Sequence, residues 1–127
     1  MGSMNILYCS KSIIKDIISK TFERVYNQLP LYNVNYPFAV FESELRSEPP
    51  GVQLEILIDL WDDSLGLIEF NQKADTLINS LDRINNLENN GSIHFAGQIE
   101  VVRDVPTQEE SLNRIQIIGL YDVYKSN

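Results

Sequence analysis

The chain has 127 residues, 43% of them hydrophobic and 22% charged, which predicts one globular domain, 1–127, held together without a disulfide or a metal. No apolar run approaches the roughly 20 residues of a membrane-spanning helix, and the N-terminal residues lack a long apolar stretch, so we expect a soluble protein that is not secreted by a signal peptide. The formal net charge is −8, and the Lys and Arg residues are scattered singly along the chain. This pattern argues against a protein that binds nucleic acid through its phosphates.

Two features near the N-terminus concern the origin of the chain and its redox compartment. Residues 1–3 precede a second methionine, Met4, and are interpreted as an expression remnant, which makes 4–127 the native chain. Cys9 is the only cysteine, so a disulfide within the chain is impossible. An inert thiol in a reducing compartment is the ordinary interpretation of such a residue, and it favours a cytoplasmic location.

The first predicted element is an amphipathic helix. Between Lys11 and Tyr26, apolar residues recur at three- and four-residue steps. Ser10 and Ser12 are its candidate caps, and Pro30 lies beyond its end. The segment that follows is rich in tyrosine and asparagine and is broken by prolines, so we expect it to be a connection.

Two strands are predicted next, joined as a hairpin with a long tip. The residues Phe38–Phe41 predict a short strand, and Ser43–Gly51 predicts a loop. A longer strand, Gln53–Trp61, is apolar on both faces, because Leu57 and Trp61 lie opposite its main apolar side. Such a strand is covered on both sides or presses one face on a neighbouring subunit.

The pattern changes to a helical period after Trp61. The apolar stripe of this second helix begins at Leu67 and continues to Ile84. Asp62 and Asp63 stand just before it and are interpreted as its N-terminal caps. Inside this helix, a glutamate at position 69 precedes Lys73 by four residues, which is the favourable order for a helical ion pair.

Two more strands complete the prediction. Residues Ser92–Val102 alternate in hydrophobicity, and a polar loop, Asp104–Ser111, leads to the last strand, Leu112–Tyr124. The resulting fold class is α+β with the order α-β-β-α-β-β, in which two helices pack on a four-stranded, mostly antiparallel sheet.

No catalytic or metal-binding residue and no cofactor is predicted. The first candidates for a metal or catalytic site are four carboxylates that lie close together in the sequence: Asp59, Asp62, Asp63 and Glu69. Helix capping and ion pairing explain three of them. His94 stands alone in a strand pattern, and the sequence contains neither a nucleophile motif nor a glycine-rich phosphate loop. We therefore expect a protein that is not an enzyme.

Surplus apolar residues on the strands predict an interface. They point away from the main apolar side and form the candidate subunit interface: Leu57, Trp61, Ile118, Leu120 and Tyr124. The alternative is that one helix lies on each face of the sheet and covers them.

Three segments have a pattern in common with a known family: the strand start Tyr36-Pro37-Phe38-Ala39-Val40, the strand end Ile58-Asp59-Leu60-Trp61, and the helix Gly66–Leu81. In these segments the chain resembles the small tail-terminator or tail-completion proteins of long-tailed bacteriophages and prophages. Two final strands with a polar loop between them complete the resemblance, which extends from about Lys11 to the end of the chain.

This resemblance implies a structural role in a virion. Subunits of the family form a ring, usually of six, that caps the head-proximal end of the tail tube and joins it to the head connector. The implied partners are therefore other copies of the chain, the tail tube protein and the head–tail connector protein, with neither sequence-specific nucleic-acid binding nor a membrane. The implied location is the host bacterial cytoplasm during assembly and then the virion tail. An acidic lumen would repel passing DNA.

Two predicted loops are the candidates for touching the tube or the connector, since hairpin tips extend furthest from the core. The loop residues of interest are Arg46, Glu48, Arg103, Asp104, Glu109 and Glu110.

Three alternative functions stay open at this point. The first is a neck or head-closure component. The second is a small metal-dependent hydrolase that uses Asp59, Asp62, Asp63 or His94. The third is an acidic cytoplasmic interaction module, similar to an immunity protein or an antitoxin, whose partner would be a basic protein.

Overall fold

The computed structural model describes residues 3–30, 34–48, 51–63, 67–82, 93–109 and 111–125. Within them, two helices and five strands form one α+β unit: α1 Ser3–Ser19, β1 Val25–Tyr26, β2 Phe38–Glu48, β3 Gly51–Asp63, α2 Leu67–Asp82, β4 Ile93–Asp104 and β5 Leu112–Lys125. The sheet order is β1-β2-β3-β5-β4, with β1 parallel to β2 and every other pair antiparallel. The predicted fold class is confirmed, and a short fifth strand is added.

Both helices pack on the same face of the sheet, which we call the inner face. The four even-numbered residues of β3 from Leu54 to Leu60 are fully buried and belong to one cluster with residues of α1 and α2. Phe22, which follows α1, meets Phe70 of α2 edge to face at 6.3 Å between ring centroids. The alternative with one helix on each face is therefore wrong.

The first helix differs from its prediction at both ends. It spans Ser3–Ser19, so Ser10 and Ser12 lie inside it and are not caps. The apolar residues that suggested a longer helix belong to the segment after it, where Val25 and Tyr26 pair with β2. The amide of Ala39 donates a hydrogen bond of 2.9 Å to the carbonyl of Arg24. Pairing with the sheet has therefore overridden the helical spacing.

The first hairpin is longer and tighter than predicted. Strand β2 continues to Glu48, and its ladder with β3 runs from Phe38↔Trp61 to Glu48↔Gly51. Polar residues suggested a loop here, but they belong to a strand that pairs with β3 along its whole length. The placement of Arg46 and Glu48 in a loop was therefore wrong.

The second predicted loop is also shorter. Strand β4 reaches Asp104, so Arg103 and Asp104 are strand residues and not loop residues. Glu109 lies in the loop as predicted, whereas Glu110 is outside the described residues.

Helix α2 follows its prediction closely. It buries Phe70, Ala74, Leu77 and Leu81, and Lys73 lies 3.9 Å from the carboxylate of the glutamate four residues before it. Ile84, the last residue of the predicted stripe, is outside the described residues.

A β-bulge changes which face the end of β4 presents. The pairing shifts register between Ile99, opposite Gly119, and Val101, opposite Ile118. Up to Ile99 the predicted alternation is confirmed, but the extra residue moves Val101 to the face away from the helices. The alternation predicted from Ser92 to Val102 places Val101 on the same side as Phe95, and this part of the prediction was wrong.

The hydroxyl of Tyr121 connects β5 to the end of α2. It donates a hydrogen bond of 2.9 Å to the carbonyl of Leu81, and the side chain is almost completely buried. Burial, assisted by the nearby Asp82 carboxylate, raises the pKa of Tyr121 well above its usual value. Among the residues described, no helix is long and apolar enough to cross a membrane.

Candidate functional site

The second face of the sheet, the outer face, is covered by neither helix. It consists of every other residue of the four long strands. Its members are Phe38, Val40, Glu42, Glu44 and Arg46 of β2; Gln53, Glu55, Leu57, Asp59 and Trp61 of β3; Arg114, Gln116, Ile118, Leu120, Asp122 and Tyr124 of β5; and His94, Ala96, Gln98, Val101 and Arg103 of β4.

All five candidate interface residues lie on this outer face, but only three of them are neighbours. Leu57 pairs directly with Ile118, and Leu120 follows two positions along β5, so these three form a half-buried apolar centre. Trp61 lies four residues from Leu57, which is roughly 13 Å along the strand. Tyr124 stands at the opposite end and is 52% exposed. Whether these residues form an interface stays a prediction.

Trp61 already has neighbours within the subunit. Its ring stacks on Phe38 at 6.1 Å between centroids and 8° between planes, and the guanidinium of Arg114 lies 5.0 Å from the ring centroid. The rings of Tyr26 and Tyr36 also contact Phe38, with 5.7 and 5.4 Å between the ring centroids. The tyrosine-rich connection therefore helps to build an aromatic cluster at this end of the outer face.

Two features of this aromatic cluster were not predicted. Phe38 is 2% exposed although it lies on the outer face, because the tyrosines and Trp61 cover it. The indole Nε1–H of Trp61 is buried and has no acceptor among the described residues. A buried donor of this kind normally has a partner.

A line of polar side chains crosses the outer face beside the aromatic cluster. Asp59 accepts hydrogen bonds from Arg114 at 3.0 Å from Nε and 2.9 Å from Nη2. Gln116 lies between this pair and Arg103, whose Nε donates to Gln116 Oε1 at 2.8 Å. The chain of contacts therefore runs across β3, β5 and β4. Asp59, considered above as a metal ligand, is engaged in an ion pair.

Removal of the arginine from this line should destabilise the fold. The side chains of Asp59 and Arg114 are only 13% and 26% exposed, so Arg114→Ala leaves a poorly solvated carboxylate and removes the cation over Trp61. We expect a loss of about 1–3 kcal/mol in the free energy of unfolding, measured by urea denaturation. Lys20→Ala, which removes an exposed side chain outside this line, should cost less than about 1 kcal/mol. Equal losses for the two variants would contradict this ranking.

Beyond the apolar centre, the outer face becomes acidic. Glu42, Glu44 and Glu55 cluster there, and Arg46 lies 3.6 Å from each of the last two. These contacts are exposed, so each contributes little to stability. The outer face thus has an aromatic and arginine-containing end, an apolar centre and an acidic end.

The strand geometry separates the carboxylates that suggested a metal site. Asp59 points to the outer face, whereas Asp62 lies on the inner side and is 7% exposed. The interpretation of Asp62 and Asp63 as helix caps was also wrong, because both belong to β3, and Asp62 Oδ1 accepts the Asp63 amide at 2.8 Å. The described residues contain no group of three or more potential ligands that could hold a metal.

Burial of Asp62 makes stability depend on pH. Desolvation raises the pKa of Asp62 above 3.8, and the charge of Asp63 adds to it, against the opposing amide hydrogen bond. The folded state then binds the proton more tightly than the unfolded state, so this group lowers stability as the pH rises through that window.

The variant Asp62→Asn should remove this pH-dependent penalty. We expect it to be more stable than the wild type at pH 7, with the difference shrinking towards pH 3, where both side chains are neutral. Asp75→Asn, which removes an exposed charge on α2, is the control and should show no such narrowing. Urea denaturation at several pH values measures the difference. A stability difference between Asp62→Asn and the wild type that stays constant with pH would contradict a penalty from charged Asp62.

The two predicted contact loops lie at opposite ends of the sheet. Strand β3 has 13 residues, so its ends are roughly 40 Å apart. The tip between Glu48 and Gly51 is at one end, and the loop after Asp104 is at the other, beside Asp63. In this second loop, Thr107 Oγ1 lies 2.6 Å from the carbonyl of Glu109.

Comparison with known proteins finds a similarity among solved structures. No protein-family model matches the chain, and no curated protein sequence matches it. Among solved structures, a chain of the "virion of native gene transfer agent (GTA) particle" has the same fold, with a TM-score of 0.68 and 10% sequence identity. The alignment covers 95% of this chain and 98% of that chain. This protein therefore shares its overall fold, over nearly its whole length, with a virion protein.

Proposed function

We propose that this protein is a structural component of a phage-like virion, and that it acts as a tail terminator. In this role, copies of the chain form a ring, a hexamer in the resembled family, on the head-proximal end of the tail tube. The ring stops further tube growth and binds the head connector. Assembly takes place in the host cytoplasm, and the ring then remains in the virion tail.

The observation that carries the proposal is the outer face, on a fold shared with a virion chain. Its apolar centre around Leu57 and Ile118 has no cover among the described residues. A head-to-tail ring needs two different adhesive surfaces on each subunit. The outer face, with chemically different ends, supplies one of them and would meet a different surface of the adjacent subunit.

Loops at opposite ends of the sheet support a position of this protein between the tail tube and the head connector. A terminator must contact two partners that lie on opposite sides of its ring. The hairpin tip near Glu48 and the loop containing Glu109 extend from opposite ends of the strands, so one subunit can reach both partners.

The charge also suits a ring through which DNA passes. A net charge of −8 gives a repulsive surface towards phosphates, and DNA would travel through the lumen without sticking. The acidic end of the outer face is one source of this charge.

Tail tubes provide the functional test. The purified protein should stop the elongation of tubes formed by the tail tube protein of the same particle, at about one ring per tube. A neck or head-closure component would bind the connector and leave tube growth unchanged. An immunity-like module would instead form a one-to-one complex with a basic protein. Either result would replace the terminator assignment.

A further inference from the structure

One edge of the sheet is largely open. Strand β1 pairs with β2 only at Ala39 and Val40. From Phe41 onward, no strand among the described residues pairs with this edge, so most of β2 has a neighbour on one side only. Open strand edges present unpaired amide and carbonyl groups that can accept another strand.

The direction of the open groups follows from one hydrogen bond. Because the Ala39 amide donates towards β1, the amides and carbonyls of alternate residues after it point the same way. These residues are Phe41, Ser43 and Leu45. The amides of Glu42 and Glu44 point to β3 instead.

A groove of about 630 Å³ runs between this edge and α1. Its walls come from one stripe of the helix and from the strand, and include Tyr8, Lys11 and Lys15 on α1 and Phe41, Glu42 and Ser43 on β2. The Oγ atom of Ser43 is buried and has no hydrogen-bond partner among the described residues. An extended chain in the groove could supply one.

The opposite edge of the sheet is protected, which makes the open edge of β2 distinctive. On β4, the amide of Ile99 donates a hydrogen bond of 2.9 Å to Asp82 Oδ1 of α2. The β-bulge follows immediately. A side chain that accepts the hydrogen bond of an edge amide, and a β-bulge, both prevent another strand from pairing with that edge.

The two sides of the groove carry opposite charges. Lys11 and Lys15 form a basic rim on the helix, and no carboxylate with a described side chain lies within ion-pair distance of either. They are four residues apart, about 6 Å along the helix, which is close to the roughly 6.7 Å between alternate residues of a strand. On the other side, Glu42 and Glu44 form an acidic rim.

We propose that the open edge of β2 binds an extended segment of another protein as an added strand. Acidic side chains at alternate positions of that segment meet Lys11 and Lys15, and basic or neutral side chains between them meet Glu42 and Glu44. Backbone hydrogen bonds to β2 supply affinity, and the two rims supply specificity. This inference is independent of the ring proposed above.

The test uses two labelled twelve-residue peptides of equal composition. In the first, Glu and Lys alternate, so that an extended strand places all acids on one side; in the second, they occur in pairs, EEKK, which prevents this separation. Fluorescence anisotropy should show the alternating peptide binding about ten-fold tighter, as expected for two exposed ion pairs.

Variants and amide exchange locate the binding. The double variant Lys11→Glu with Lys15→Glu should weaken binding of the alternating peptide about ten-fold, whereas Lys20→Glu with Lys73→Glu should leave it unchanged. Bound peptide should protect the amides of Phe41, Ser43 and Leu45 from hydrogen exchange. Circular dichroism verifies that both double variants are folded.

Four outcomes would overturn the inference. They are the absence of binding at millimolar peptide, equal affinity for the paired peptide, and equal losses in the two double variants. The fourth is protection of the same amides in the free protein that rises with protein concentration, because it would assign the edge to a second copy of this chain.

Discussion

The double variant Leu57→Asp with Ile118→Asp should lose the ability to form a ring while keeping its fold. Both side chains lie in the apolar centre of the outer face and are only half-buried within the subunit, so the carboxylates remain hydrated in the free chain. In a ring they would be buried without a partner. Burying a carboxylate without a partner raises the free energy of the assembled state by several kcal/mol. We therefore expect assembly to weaken more than about 100-fold.

A matched control separates this effect from added charge. Gln72→Asp with Asn79→Asp adds the same charge on exposed positions of α2 and should assemble as the wild type does. Light scattering over a range of concentrations, with tail tubes present, measures assembly. Trp61, the only tryptophan, lies on the outer face, and its fluorescence reports on the same surface. Normal assembly of the Leu57 and Ile118 double variant would contradict the assignment.

Gly97→Ala should be strongly destabilising. A methyl group at Gly97 would overlap the carbonyl oxygen of Leu120 and lie 2.6 Å from the Cα of Tyr121, both in the backbone of β5. Backbone atoms can move only if the two strands separate, so we expect a loss of about 2–3 kcal/mol in the free energy of unfolding. Urea denaturation followed by Trp61 fluorescence measures it.

Gly119→Ala provides the comparison for this variant. Its methyl group would lie 3.0 Å from side-chain atoms of Ile56 and Tyr121, which can adjust more easily than a backbone. The loss should therefore be smaller than that of Gly97→Ala. If Gly119→Ala were the more damaging change, the close approach of β4 to β5 at Gly97 would not constrain the fold as described.

The sequence predicted the elements whose periodicity and burial agree. Helix α2 and the alternating strand β5 were correct nearly to their ends, because a continuous stripe of each is buried. Strand β1 was missed because Val25 and Tyr26 also fit a helical period, and only pairing with β2 decides between the two. The second half of β2 was mistaken for a loop because most of its residues are polar, and only their pairing with β3 makes them a strand.

The sequence predicted which residues lie on the outer face of the sheet, but it did not predict the contacts among them. Alternation along β3 and β5 was enough to indicate which residues point away from the helices. The partners of Trp61 could not be predicted, since Phe38 and Arg114 reach it from two other strands. Likewise, the ion pair between Asp59 and Arg114 joins residues 55 positions apart, and no local pattern encodes such a contact.

In the proposed function, copies of this chain close a tail tube at one end. Electron microscopy of tail tubes from the same particle, mixed with the purified protein, tests it most directly. We expect a ring of density at one end of each tube, with tube length fixed after the protein is added. Tubes that continue to grow and carry no additional density at either end would contradict it.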